Sequence, residues 1–92
     1  MGKKISINRK HGLGLDGANA KLHELGSQFA AKYGVTTSQS GSTVNVSGSG
    51  VTGSIRVTDD DISVDLELGF AAGMFAGKIE DGLKSQLEKH FG

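Results

Sequence analysis

The chain has 92 residues, ten Lys or Arg against ten Asp or Glu, and no cysteine. That length sets one domain over residues 1–92 with a thin stability margin. The balanced charge gives no general pull towards nucleic acid or an anionic membrane, and the missing thiols exclude disulfide frameworks and thiolate zinc sites. No run of 18 apolar residues exists and the N-terminus has no long apolar stretch, so neither a membrane span nor a secretory leader is expected, and the chain reads as cytoplasmic. Apolar residues make up 36%, and the aromatics are four Phe and Tyr33, which suits a small core with one buried layer.

The first element alternates. Ile5 and Ile7 share one face, while Lys4, Ser6, Asn8 and Lys10 share the other, as in a half-buried strand. Gly12 and Gly14 end it. Asp16 is placed to cap a helix that runs to Tyr33, with Leu15, Ala18, Leu22, Leu25, Phe29 and Tyr33 on one stripe and Gly26 beside it. Gly34 suits the left-handed residue after a helix, with Val35 folding back onto the last turn.

Residues 35–50 are mostly Ser, Thr, Gly, Val and Asn. They read as two short strands, Val35 and Thr37 opening one and Val44 and Val46 closing the other, with turns at Ser40-Gly41-Ser42 and Gly48-Ser49-Gly50. The next pair is clearer. Val51, Gly53, Ile55 and Val57 alternate with Thr52, Ser54, Arg56 and Thr58. After Asp59-Asp60, Ile62, Val64, Leu66 and Leu68 alternate with Asp61, Ser63, Asp65 and Glu67. Each strand has one apolar and one polar face, so one face packs and the other meets water.

A final helix is expected from about Ala71 to His90, with Ala72, Phe75, Ala76, Ile79, Leu83 and Leu87 facing the core. Gly73, Gly77 and Gly82 within it cost about 3 kcal/mol together relative to alanine. Phe70, Gly73, Met74 and Gly77 lie on the back of its first two turns, which are therefore apolar all round, a pattern expected where a helix is contacted on both sides. These four residues are the candidate partner-contact surface. The plainer explanation is that the glycines let the helix approach its neighbours closely.

The order β-α-β-β-β-β-α implies an α+β fold, a five-stranded antiparallel sheet with both helices on its apolar face, in a helix-grip or TBP-like arrangement. The outer face of the first strand is basic (Lys4, Lys10) and that of the last is acidic (Asp61, Asp65, Glu67). Opposite charges favour cross-strand pairing by tenths of a kcal/mol, which gives the strand order 1-5-4-3-2.

No catalytic, cofactor-binding or metal-binding residues are assigned. Arg9, Lys10 and His11 are a candidate anion contact, but a strand-end cluster paired with acidic neighbours explains them more simply. There is no stacking platform for a nucleic acid, which is not expected as a partner. Gly12-Leu13-Gly14 fits neither a P-loop nor a dinucleotide fingerprint. Asp59-Asp60-Asp61 reads as a solvated turn, and His11, His23 and His90 have no metal-ligand spacing.

Three segments together carry a family resemblance: Ile5-Ser6-Ile7-Asn8-Arg9-Lys10-His11-Gly12-Leu13-Gly14, Ser49-Gly50-Val51-Thr52-Gly53-Ser54-Ile55-Arg56-Val57, and Leu66-Glu67-Leu68-Gly69-Phe70 followed by Ile79-Glu80 and Leu87. In this combination the chain resembles the polyhydroxyalkanoic acid system proteins, small bacterial proteins encoded beside the genes of polyester storage granules. Residues 36–47 depart from the family pattern, being mostly Ser, Thr, Gly and Asn where the family hairpin is more charged and bulky. The resemblance implies genomic company with polyester metabolism and no activity; together with the apolar start of the last helix it leads to the expectation of a non-catalytic accessory of the polyhydroxyalkanoate (PHA) system that contacts the PHA granule surface or granule-associated proteins. It carries over no catalytic residues. The alternative is a small helix-grip-like module that holds an apolar, acyl-type ligand between sheet and helices, beside Ala18, Gly26, Gly53, Ala72 and Ala76. A homodimer would form through the back of the last helix or the weak edge strand near Val35.

Overall fold

A computed structural model describes residues 2–91; Met1 and Gly92, the ends of the expected domain, lie outside the described residues. The elements are β1 (Lys3–Lys10), α1 (Gly14–Tyr33), β2 (Thr36–Ser40), β3 (Thr43–Gly48), β4 (Val51–Val57), β5 (Asp61–Leu68), α2 (Phe70–Gly73) and α3 (Ala76–Phe91). The strands form one antiparallel sheet in the order β1-β5-β4-β3-β2, as the charge pattern requires.

The register of β1 on β5 shows why. Lys4 stands opposite Glu67, Ser6 opposite Asp65 and Lys10 opposite Asp61. Ser6 Oγ donates to Asp65 Oδ1 at 3.0 Å, and Asn8 Nδ2 donates to Ser63 Oγ at 2.8 Å. Lys10 Nζ lies 3.8 Å from Asp61 Oδ2 and 3.9 Å from Asp60 Oδ2. These groups are on the outer face, so each contributes less than about 1 kcal/mol; their combined effect is on register. The β4–β5 turn is held by Thr58 Oγ1, which donates to Asp61 Oδ1 at 2.8 Å and accepts from the Asp61 N–H at 3.1 Å.

The inner face supplies Ile5, Val44, Val46, Val51, Ile55, Val57, Ile62, Val64, Leu66 and Leu68, all buried. Both helices pack on this face. α1 lies over β2, β3 and β4, and α3 lies over β1 and beside α1. Ala18, Leu22, Leu25, Gly26 and Phe29 of α1 and Ile79, Leu83, Leu87 and Phe91 of α3 complete the core. Gly26 brings α1 close to the sheet: a Cβ there would sit 3.5 Å from Val44 Cγ1. Gly34 ends α1 with φ +67°, its N–H donating to the Ala30 carbonyl at 2.9 Å. Gly53 is the tightest position. Its φ is +152°, and a Cβ would be driven into the Asp65 carbonyl oxygen, with Leu66 Cα at 2.8 Å.

Four local expectations are corrected. α1 begins at Gly14, so Asp16 is not its cap; it lies in the first turn, where a carboxylate still complements the helix dipole. Leu15 is 41% exposed because the first turn overhangs the packed layer, whose first buried helical residue is Ala18. The last helix is not continuous: α2 and α3 are separated at Met74 and Phe75. Phe75 therefore leaves the core stripe and is 58% exposed.

Candidate contact surface

The break in the last helix follows from its hydrogen bonds. The Gly73 N–H donates to the Gly69 carbonyl at 2.7 Å, closing one α-turn. The next two amides, Met74 and Phe75, donate to Ala71 and Ala72 at 3.2 and 3.0 Å, an i to i+3 pattern that tightens the turn. α3 then starts afresh, with the Ile79 N–H donating to the Phe75 carbonyl at 2.9 Å. Glycine at 73 and 77 weakens the local preference for a straight continuation.

α2 is anchored at its start, where the Gly69 N–H donates to the Gly50 carbonyl at 2.7 Å. Gly50 belongs to the β3–β4 turn and has φ +78°; a Cβ on it would also lie 3.5 Å from Ala72 Cβ. The short helix is thus tied to a turn at one end of the sheet. Beyond that tie it rests on the end of β5 and on Lys3.

Phe70 and Met74 stand out from this end, 78% and 76% exposed, with Phe75 beside them. Of the four candidate contact residues, Phe70 and Met74 are exposed. The two candidate glycines do not share an environment. Gly73 is buried, and a Cβ there would meet Lys3 Cγ at 3.5 Å, whereas around Gly77 there is open space. The glycines therefore do not serve one common close approach.

Beside the tip a cleft of about 390 Å³ opens between the α2–α3 junction, the end of α1 and the β3–β4 turn. Tyr33, Val51, Ala72, Phe75 and Ile79 form its walls. The sequence pattern missed it because a continuous helix would have turned Phe75 inward. Between α1 and α3 there is only a crevice of about 20 Å³.

At the opposite end of α3 the chain is closed. Phe91 is 3% exposed, and its ring centroid lies 5.7 Å from that of His11. Leu83, Leu87 and Phe91 continue one i, i+4 series, a signal that extends past the expected end at His90. His90 fastens α3 to α1, with Nε2 3.1 Å from Gln28 Oε1 and Nδ1 3.4 Å from Glu24 Oε2.

Of the candidate anion contacts, Lys10 and His11 face opposite ways, and Arg9 is half-buried opposite Ile62 in β5. Lys10 faces the outer side, towards Asp60 and Asp61. His11 is turned inward and is 8% exposed. Its Nδ1 accepts from the Leu13 N–H at 3.2 Å, and its Nε2 is 3.0 Å from the Thr58 carbonyl oxygen, which can only accept. Both ring nitrogens are taken. Among the described residues no three His, Cys, Asp or Glu side chains group as metal ligands, and no helix is long and apolar enough to cross a membrane.

Compared with known proteins, residues 5–91 match the family model described as "putative polyhydroxyalkanoic acid system protein". No curated protein and no solved structure matches the chain.

Proposed function

The chain belongs to the polyhydroxyalkanoic acid system protein family, and from that premise we propose that it is a non-catalytic cytoplasmic accessory of polyester storage, working through contact with the granule surface or granule-associated proteins. The observation that carries this reading is the apolar tip: Phe70, Met74 and Phe75 lie within six residues and are all exposed. Scattered apolar side chains need no explanation, but three large exposed ones within six residues, at α2 and the turn that follows it, favour contact with an apolar partner. Burying one Phe or Met side chain fully is worth roughly 1.5–3 kcal/mol, so two of them can hold a small protein on an apolar surface.

Self-association is the competing use of the same tip, and the free edge of β2 offers a second copy another route. Granules isolated from a polyester-accumulating strain that expresses the wild type or Phe70→Ser/Met74→Ser distinguish these outcomes. The wild type is expected in the granule fraction, and the double variant depleted at least tenfold with its fold intact. Absence of the wild type from granules and from pull-downs of granule proteins would overturn the proposal. So would an undiminished double variant.

A further inference from the structure

The cleft beside the tip has a different character from the tip itself. Phe70 and Met74 do not line it; its apolar lining is Val51, Ala71, Ala72, Phe75 and Ile79, with Tyr33 beside them. Its volume of about 390 Å³ falls within the roughly 300–1,000 Å³ typical of small-molecule sites. The only charged side chain on its lining is Lys78, and no carboxylate faces it. Among the described residues Lys78 makes no ion pair. Lys32 Nζ lies 5.4 Å from the centre of the Tyr33 ring but does not line the cleft.

The position of Lys78 adds to the charge pattern. It falls in the first turn of α3, which has no acidic residue. A helix start normally favours a carboxylate and disfavours a cation. The rim of this apolar cleft is therefore positive from two sources, the ammonium and the helix end, without a compensating acid on the lining. A lysine in this place can lay its methylenes on the apolar wall and keep its ammonium in water, where an anionic group would meet it.

We propose that the cleft binds a single-chain amphiphile with an anionic head, of which a medium-chain fatty carboxylate is the simplest example. The chain lies along Val51, Ala72 and Ile79, and the head meets Lys78. The occupant differs in place from the acyl ligand expected between sheet and helices: it enters at the open end of the sandwich. The site shares Phe75 with the surface contact proposed above, but Phe70 and Met74 do not line it.

The test titrates the full chain, in solution, with sodium decanoate, sodium octanoate and decyltrimethylammonium, each below its micelle concentration, following backbone amide resonances. Saturable decanoate shifts are expected at Tyr33, Ser49, Val51, Ala72 and Ile79. Octanoate is expected to bind roughly tenfold more weakly, from two fewer buried methylenes. The cationic surfactant is expected to be at least tenfold weaker than decanoate. Lys78→Glu is expected to weaken decanoate at least tenfold, and Ala71→Trp, at an exposed position on the lining, to block it. Phe70→Ser/Met74→Ser is expected to leave decanoate binding unchanged, which separates this site from the granule contact. Equal binding of both head groups would overturn the proposal, as would indifference to Lys78→Glu. Shifts explained by a concentration-dependent dimer would do so too, since the occupant would then be a second copy.

Discussion

The two ends of the last helical segment use the same residue type in opposite ways. Phe91 ends α3 under His11, 3% exposed, while Phe70 and Phe75 at the other end are 78% and 58% exposed. Composition does not distinguish them. The difference lies in what stands opposite. At the closed end the β1–α1 connection folds His11 inward over Phe91, and His90 ties α3 to Glu24 and Gln28 of α1. At the open end α2 is a separate short helix, tied to the β3–β4 turn by the Gly69 N–H on the Gly50 carbonyl. An apolar side chain is core only where a second element closes over it, and at the open end Phe70, Met74 and Phe75 stay exposed.

The largest effects belong to the closed part of the molecule. Phe91→Ala is expected to destabilise the protein by about 3 kcal/mol, while Phe70→Ala changes stability by less than about 0.5 kcal/mol; paired urea unfolding curves read the contrast. Comparable losses for both would erase the distinction between the ends. Glycines repeat the comparison. Gly53→Ala meets the Asp65 carbonyl in a left-handed conformation and should cost roughly 3 kcal/mol or more. Gly77→Ala meets nothing within 4 Å and should stabilise by about 1 kcal/mol, raising the thermal midpoint by roughly 4–8 °C. A loss of stability from Gly77→Ala would mean that this face is packed. The smallest effect is expected at Lys10→Ala, within about 0.5 kcal/mol, because its pairs with Asp60 and Asp61 are exposed and 3.8–3.9 Å long.

The sheet was legible because period-2 alternation survives in each long strand and because the charges on β1 and β5 complement each other only when those strands are neighbours. The hairpin of β2 and β3 was legible from its valines and its Gly41 turn despite its polar composition. The start of α1 was misread: Asp16 is a strong capping residue type, yet the left-handed Gly14 lets the chain begin the turn two residues earlier. The break at Met74 and Phe75 had no clear one-dimensional signal. The stripe from Ala72 to Leu87 fits one helix, and the start of α2 is tied to Gly50, which is far from Gly69 in sequence. The exposure of Phe70 and Met74 followed from their position, while the cleft beside them was not legible.

Amide hydrogen exchange along residues 69–91, with and without isolated polyester granules, tests the contrast between the two ends most directly. In the free protein, α2 is expected to exchange fast and the stretch from Leu83 to Phe91 slowly. Granules are expected to slow exchange from Phe70 to Lys78 and leave the closed end unchanged. Protection that appears at the closed end, or no change at Phe70 to Lys78 while the protein is bound to granules, would contradict the account.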